Sequence, residues 1–412
     1  MKNHLFIVTE SKSANGICCK AVMQALISNG DKCYCIINNE YDNFPKADGV
    51  EYTTVKPRLV YRLFSKAEKL GGINKKITIL VAQILNKLTL FLSIPTWPLI
   101  SYGYSLRIYR AAHRICKEQK IDFIIPVYTQ IDTLIAANKI KKKFPEVKMV
   151  PYFLDSFSGG YGPKIFSKEW TVKRGIKWED KLLPQAEKIV IMKSSEEHYK
   201  KFAVNKSYFN KMVFLDLPLY AKMKTNGTKC DLLPKDKINL LYIGTIPMHI
   251  RNPEYFLRVF NSVKNDNIQL NIVGNCTDMA FLIEWQNKDS RIKVMPFVDH
   301  STAISLMQNA DFLVNFGNNN SHMTPCKIFE YMSIGKPIIS TSPIKNEPSS
   351  IYLEKYPRSL IIRDYEGDIS HDAVKLSEFI DKGFECDENM YSELEQIYYL
   401  NTPNAFAEVL NN

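Results

Sequence analysis

Several features that would assign the chain to a protein class are missing from its sequence. There is no C-x-x-C pair: the nine cysteines are scattered, odd in number and without nearby histidines. That pattern argues against a disulfide framework and against a zinc site, and we expect reduced cytoplasmic thiols. The glycines within 159–162 lack the G-x-G-x-x-G spacing of a dinucleotide fingerprint. No secretory signal is expected, because Thr9 and Glu10 follow the short apolar run 5–8 at once.

The sequence also lacks an apolar run long enough for a good membrane span. The most apolar stretch, 77–100, is interrupted by Gln83, Asn86, Lys87 and two prolines. A spanning helix needs about 20 mostly apolar residues. The basic flanks of this stretch suit an element that lies on a membrane surface. A pair of core helices is the alternative, and we favour it for the apolar face itself.

Acidic residues are scarce in one part of the chain. Residues 55–120 contain 13 Lys and Arg against two Asp and Glu. The excess extends over residues 1–220, with 35 basic against 19 acidic side chains, whereas residues 221–412 have 19 against 24. Such an excess attracts a polyanion, either a nucleic acid or an anionic membrane. A basic surface that only aids solubility is an equal alternative.

The length and the pattern of strands and helices predict two domains. The chain has 412 residues and is 45% hydrophobic, enough for two large cores. A strand at 4–8, a helix at 17–28 and a strand at 33–37 form a βαβ unit, and similar alternation returns at 122–153. A second series begins with the strand 238–243. We therefore predict two Rossmann-like, doubly wound parallel-sheet domains facing a central cleft, at 1–220 and 236–400. Residues 401–412 form a tail or helix that packs back on the first domain.

The segment 315–339 carries the clearest chemical signal. A buried strand runs into a loop of small polar residues, among them Asn318, Ser321 and Thr324, and Pro325 marks the start of a helix. The free N–H groups and the dipole of a helix N-terminus form a diphosphate site. Lys327 lies in the first turn, and Glu330 follows at the i, i+3 spacing. A carboxylate there can accept hydrogen bonds from ribose hydroxyls. A weak surface ion pair is the alternative.

This segment resembles a known family. The pattern P-x-K-I-F-E-Y-M-x-x-G-K-P-I-I over 325–339 looks like the donor-binding helix of GT-B fold glycosyltransferases of the family 4-like group. Many members of that group build bacterial capsules, O-antigens and exopolysaccharides. The resemblance implies that Glu330 binds the nucleotide ribose, and that Lys327 and the helix amides face the diphosphate.

Further segments resemble the same family, and the resemblance is strong only within residues 238–340. The strand 238–243 leads into Gly244 and Thr245, and Arg251 follows in R-N-P-E. The family pattern implies that the glycine lets the backbone approach the phosphates and that Arg251 neutralises them. Taken alone, Arg251 would be an ordinary residue at a helix start. Gly274 ends the strand that precedes the base pocket, and Val298 lies in the segment that flanks the base.

Two departures from the family pattern concern the reacting groups. The family has a Glu eight residues before the ribose-binding one, near the donor sugar, whereas this chain has His322. Many relatives also have a His after an N-terminal strand, and none occurs in 127–130. Asp155, at the end of a strand, is then the candidate that positions or deprotonates the acceptor, with a capping role as the alternative. We assign Gly16 and Tyr128 to the N-terminal loops on the acceptor side.

These observations predict an enzyme that transfers a hexose-like sugar from a nucleotide-sugar, and the family resemblance implies UDP as the nucleotide. The chain has no Asp-x-Asp pair, so we expect neither a metal nor a cofactor, and fixed cations with helix amides act instead. The expected acceptor is a polyisoprenyl-linked saccharide at the inner face of the plasma membrane. Peripheral binding to that anionic surface, and none to nucleic acid, is expected. The alternatives are a nucleotide-sugar epimerase of the same fold and a non-catalytic sugar-nucleotide-binding protein.

Overall fold

The computed structural model describes residues 1–9, 14–38, 46–160, 162–163, 165–221, 223, 232–320, 326–384 and 388–411. The chain divides into two compact units. Unit 1 consists of Met1–Leu219 and Leu400–Asn412, and unit 2 consists of Tyr220–Tyr399. Each unit has its own sheet, in which every recorded strand pair is parallel, with helices between most successive strands. The predicted α/β class with two doubly wound parallel sheets is therefore confirmed.

Unit 1 is built on eight strands. They are β1 Asn3–Ile7, β2 Lys32–Asn38, β3 Glu51–Val55, β4 Phe123–Tyr128, β5 Lys148–Met149, β6 Tyr152–Phe153, β7 Ile189–Met192 and β8 Met212–Leu215. Its first seven helices are α1 Ala14–Ser28, α2 Leu59–Glu68, α3 Gly72–Leu92, α4 Tyr102–Glu118, α5 Ile131–Lys143, α6 Lys168–Leu182 and α7 Glu196–Phe202. The strand order is β3-β2-β1-β4-β6-β7-β8, and β5 also pairs with β4.

The sequence pattern over 122–153 predicts a single last strand at 148–153, and the structure divides it into β5 and β6. Phe123 of β4 pairs with Lys148 of β5, and Tyr128 of β4 pairs with Phe153 of β6. This register brings Pro126 and Pro151 to the same level. The Val150 N–H donates to the carbonyl of Ile124 at 2.9 Å, and Pro126 is the next residue of β4 on that side. Because Pro126 has no N–H to donate, the ladder is interrupted between the two short strands.

Gly16 was predicted to lie in the loop after β1, and that prediction is wrong. The residue lies in the first turn of α1 and is buried. It precedes Cys19, Val22 and Leu26 at helical spacing, and all three are fully buried against the sheet. Gly16 therefore continues the packed face of the helix.

The prediction of a core helix pair at 77–100 is also wrong. The stretch forms most of α3, a helix of 21 residues in which only Ala82 is buried. Large apolar side chains such as Leu80 and Leu88 are more than half exposed, at 56% and 52%. No helix in the described part of the chain is both long and apolar enough to cross a membrane.

Unit 2 is built on six strands. They are β9 Ile238–Ile243, β10 Ile268–Val273, β11 Ile292–Met295, β12 Phe312–Asn315, β13 Ile338–Thr341 and β14 Ser359–Ile362. Its helices are α8 Glu254–Ser262, α9 Met279–Lys288, α10 His300–Asn309, α11 Lys327–Ile334, α12 Pro348–Leu353, α13 Ile369–Asp381 and α14 Glu388–Ile397. The central strands are almost entirely buried, because helices cover both faces of a parallel sheet.

The strand order of unit 2 is β11-β10-β9-β12-β13-β14. The order reverses between β9 and β12, so successive crossovers leave these two strands in opposite directions. A crevice at the carboxyl ends of the two strands follows from this topology, and ligands of open α/β sheets bind there.

The last helix, α15 Pro403–Asn411, returns to unit 1. It packs along α1, and the ring of Phe406 lies edge-on to Tyr152 with centroids 4.8 Å apart. The Lys188 ammonium donates to the carbonyl of Val409 at 3.0 Å. The C-terminal segment is thus part of the first core.

Candidate active site

Two glycine loops form the floor of the candidate site, at the carboxyl ends of β9 and β10. Gly244 and Gly274 have φ values of 148° and 137°, which favour glycine. A Cβ on Gly274 would lie 2.0 Å from the carbonyl oxygen of Gly244, so the two backbones are in direct contact. A Cβ on Gly244 would lie 3.6 Å from Cε of Lys327. The loop after β9 therefore presents bare backbone beneath a lysine side chain.

Arg251 is fixed at the same edge by four hydrogen bonds. Its Nε and Nη2 donate to Oδ1 of Asn318 at 3.1 and 3.0 Å. Its Nη1 donates to the hydroxyl of Tyr242 at 3.2 Å and to the carbonyl of Thr245 at 3.3 Å. All of these acceptors are neutral, and no ion pair found among the described residues involves Arg251. The guanidinium is thus oriented while its charge remains uncompensated, which suits an anionic ligand.

Tyr242 and Phe316 support Arg251 from below. Tyr242 lies in β9, is 2% exposed and stacks on Phe316 with ring centroids 4.4 Å apart. Its hydroxyl donates to the carbonyl of Thr245 at 3.0 Å. Burial raises the pKa of Tyr242, so the hydroxyl remains protonated and acts as a donor. Sequence analysis did not identify Tyr242, because an aromatic residue in a buried strand looks like any other core residue.

Glu347 holds the loop after β12 in place. Its carboxylate is fully buried and accepts hydrogen bonds from the backbone N–H of Asn318 at 3.2 Å and of Ser350 at 2.9 Å. The hydroxyl of Ser349 donates to it at 3.0 Å. Burial raises the pKa of Glu347. Because Asn318 binds Arg251, this buried carboxylate positions the guanidinium indirectly, and sequence analysis missed it.

Helix α11 brings Lys327 and Glu330 to the site. The helix follows Cys326, whose side chain does not cap it, and ends at Gly335 in the left-handed conformation. Nζ of Lys327 lies 3.3 Å from Oε2 of Glu330, and the two side chains are 37% and 20% exposed. The pair is therefore accessible, and both groups can exchange this contact for a ligand. The structure brings Gly244, Thr245, Arg251, Asn318, Lys327 and Glu330 to one edge of unit 2.

The comparisons with known proteins agree with this geometry. Residues 237–353, from β9 to the end of α12, match a family model described as glycosyl transferases group 1. This match over most of unit 2 supports a GT-B glycosyltransferase of the family 4-like kind. A comparison with the sequences of curated proteins finds no match.

Solved structures share the fold of this glycosyltransferase over its whole length. The apo form of the lipopolysaccharide outer core galactosyltransferase WaaB is 12% identical, with a TM-score of 0.55, over 100% of this chain and 99% of that one. HepE from Anabaena, solved with UDP-glucose, is 11% identical, with a TM-score of 0.56, over 100% of both chains. At such low identity the likeness establishes the fold.

The other residues predicted for the donor side have different positions. Val298 is half-buried in the loop after β11, next to Phe297, which is 65% exposed at the surface. Ser321, His322 and Thr324 lie outside the described residues. No three His, Cys, Asp or Glu side chains within the described ranges are grouped so that they could hold a metal ion.

Unit 1 of the glycosyltransferase has its own polar edge. Asp155 is exposed two residues after the end of β6, and Tyr128 ends β4 with its ring 4.8 Å from that of Phe157. The next residue, Ser158, is fully buried, and its hydroxyl lies 2.8 Å from Nε2 of His198 in α7. Burial lowers the pKa of His198, and Lys168 and Lys201 lower it further. A neutral imidazole therefore lies near this sheet edge.

A buried carboxylate fixes the loop that holds Ser158. Glu179 accepts hydrogen bonds from the Ser158 N–H at 3.0 Å, the Tyr199 hydroxyl at 3.1 Å and the Tyr208 hydroxyl at 3.0 Å. Sequence analysis found no histidine after β4, and it missed His198 because α7 supplies it from a more distant segment. The signal available in the sequence was the position of His198, in the first turn of a helix that follows a buried strand.

Proposed function

We propose that this glycosyltransferase takes a sugar from a UDP-sugar and transfers it to a saccharide carried on a polyisoprenyl lipid, in the synthesis of a bacterial capsule, O-antigen or exopolysaccharide. The UDP donor is supported by HepE, which was solved with UDP and with UDP-glucose. The polysaccharide role is supported by WaaB, described as a lipopolysaccharide outer core galactosyltransferase. The observation that carries the proposal is the oriented, uncompensated guanidinium of Arg251 beside the glycine loop of β9.

In this proposal the diphosphate of the donor lies against Gly244 and the first turn of α11. Bare backbone at Gly244 allows close approach, and the N-terminal end of a helix favours an anion. Arg251 donates to one phosphate and Lys327 supplies a second positive charge. Glu330 releases Lys327 and accepts hydrogen bonds from the ribose hydroxyls. Val298 and its neighbours flank the base.

Transfer breaks the bond between the sugar C1 and the diphosphate oxygen and forms a bond from the acceptor oxygen to C1. Negative charge grows on the departing diphosphate, and fixed cations that already point at it lower the barrier. Arg251 and Lys327 supply this charge, so the proposed reaction requires no metal. The acceptor hydroxyl loses its proton, and Asp155 is the proposed acceptor of that proton. His322 replaces a family carboxylate near the donor sugar.

A lipid-carried acceptor is the finer part of the proposal. It is supported by the basic surface of unit 1, where residues 55–120 contain 13 Lys and Arg against two acidic residues. Anionic lipids at the inner face of the plasma membrane attract such a surface, by about 1 kcal/mol per basic residue close to it. We propose that the enzyme binds there peripherally.

The donor site is tested by thermal unfolding of the purified enzyme with UDP, GDP and CMP and with their sugar conjugates. A ligand that binds only the folded state raises Tm. We expect UDP and one or more UDP-sugars to raise it, and Glu330→Ala to abolish most of the shift. Glu284→Ala, which removes an exposed glutamate from α9, is the matched control and should respond like the wild type. No shift with any nucleotide would overturn the proposal.

A further inference from the structure

One face of α3 exposes a continuous row of apolar side chains. The row consists of Ile73, Ile77, Leu80, Ile84, Leu88 and Phe91, which are between 49% and 74% exposed. At 100° per residue these six positions fall within about 80° of the helix circumference. Exposed apolar residues are ordinary when scattered, but a continuous patch marks an interaction surface.

The opposite face of α3 is already occupied. Ala82, on that side, is fully buried, and α3 packs along α2 to form a helical hairpin. The segment after α3 is attached to α6, because Nε of Arg174 and Nε1 of Trp178 both donate to the carbonyl of Trp97 at 3.0 Å. The apolar row therefore belongs to an anchored helix of unit 1.

The charges around the row identify the partner. Helix α3 contains three lysines, Lys75, Lys76 and Lys87, all exposed, and no acidic residue. Lys76 and Lys87 lie along one border of the apolar row, where a long side chain can keep its charge at the headgroups while its stem lies on apolar surface. The partner helix α2 adds Arg62 and Lys66, both exposed. A second copy of α3 would bring lysines together without carboxylates, whereas an anionic bilayer complements them.

We propose that α3 lies in the plane of an anionic membrane with its apolar row inserted among the acyl chains. The inference rests on the proposed function in one respect: an enzyme with a lipid-carried acceptor has to work at a membrane. It goes further than attraction by charge, because insertion gives a component of binding that salt does not screen. Apolar burial strengthens in salts that are excluded from protein surfaces, whereas ion pairing weakens.

The test is sedimentation of the full chain with vesicles of phosphatidylcholine and phosphatidylglycerol in a 7:3 ratio, at 0.15 M and 1 M NaCl. The double variant Ile84→Gln, Leu88→Gln changes only exposed side chains and keeps every lysine. We expect the wild type to bind at both salt concentrations, more weakly at 1 M, and the variant to bind at least tenfold more weakly. Ile351→Gln with Ile397→Gln, two exposed apolar residues of unit 2, is the matched control and should bind like the wild type.

Three outcomes would overturn the proposal. They are equal vesicle binding by the variant, loss of all wild-type binding at 1 M NaCl, and a wild-type dimer that the variant converts to a monomer without any vesicle binding. The last result would make the row an interface between two copies. UDP-dependent thermal stabilisation is measured on the same variants, and we expect it to be unchanged. Failure of membrane insertion is thereby distinguished from failure of the donor site.

Discussion

Arg251 and Asn318, 67 residues apart in sequence, form a two-point contact in which Nε and Nη2 of the arginine share the Oδ1 atom of the asparagine. Asn318 is 2% exposed and is itself held by the buried Glu347. A neutral amide orients the guanidinium without compensating its charge. A carboxylate at the same position would orient it equally well and neutralise it.

Asn318→Asp should therefore weaken donor binding. The new carboxylate pairs with Arg251 and repels the diphosphate, and we expect Kd for UDP to rise by roughly tenfold to a hundredfold, the cost of one charge-assisted contact. Isothermal titration calorimetry with UDP measures the change. Asn319→Asp adds the same charge one residue away, on an exposed side chain that donates to the His249 carbonyl, and should have a smaller effect. Equal losses in both variants would count against a specific role for Asn318.

Gly274→Ala should destabilise unit 2 severely. The added Cβ would lie 2.0 Å from the Gly244 carbonyl oxygen, and the backbone φ of 137° disfavours any side chain. We expect a loss of unfolding free energy of more than about 3 kcal/mol, above the 1–3 kcal/mol of backbone strain alone. Gly367→Ala is the control, because its φ of 73° is also left-handed but its Cβ would meet nothing within 4 Å. Chemical denaturation of both variants gives the comparison, and similar losses would disprove the contact.

Asp155→Asn should slow transfer without weakening donor binding. If the carboxylate accepts the acceptor proton, turnover falls by about 10²- to 10⁴-fold, whereas Kd for UDP stays unchanged. Release of UDP from a UDP-sugar in the presence of acceptor gives the rate. His198→Gln is measured in parallel, since its neutral imidazole lies at the same sheet edge of unit 1. Normal turnover in Asp155→Asn would remove the proposed role and leave His198 as the next candidate.

Asp364→Asn should change the pH dependence of stability. Burial raises the pKa of Asp364 from 3.8 to about 7, and the charges of Asp372 and Glu347 add to the shift. Its Oδ1 is buried and has no hydrogen-bond partner within the described ranges. Because the folded state holds this proton more tightly, the carboxylate destabilises the fold increasingly as pH rises from about 4 to 7. The Tm of the variant relative to the wild type should therefore rise over that range. A constant difference from pH 4 to 8 would contradict the assignment.

Much of the fold was predictable because the strands of unit 2 are short apolar runs separated by turn residues. The bounds of β9 match the predicted strand 238–243, and α11 begins two residues after Pro325, where the sequence predicts the start of a helix. The division of β5 from β6 was not predicted, because it depends on the place of Pro126 in the neighbouring strand β4, where the proline offers no N–H to the ladder. The residues of α3 were wrongly predicted to face a core. The same helical spacing of apolar residues is found in a helix whose apolar face packs against a core and in one whose apolar face is exposed.

The candidate site was predictable only where a local motif marks it. Lys327 and Glu330 lie within one turn of α11, so their proximity follows from helical spacing. Tyr242 binds Arg251 from 9 residues away in the sequence. Glu347 acts on Arg251 through Asn318, from which it is 29 residues away. Such long-range contacts depend on the sheet order, and nothing in the local sequence distinguishes these residues from core side chains.

The central claim is a donor site in which Arg251 binds the diphosphate, and calorimetric titration of UDP into the wild type and Arg251→Ala tests it most directly. Arg251→Lys keeps the charge but loses the paired contact with Asn318, and serves as the intermediate variant. We predict that the wild type binds UDP, that Arg251→Ala binds it at least about tenfold more weakly, and that Arg251→Lys lies between them. Equal affinity in all three proteins, or no binding of UDP by the wild type, would contradict the account.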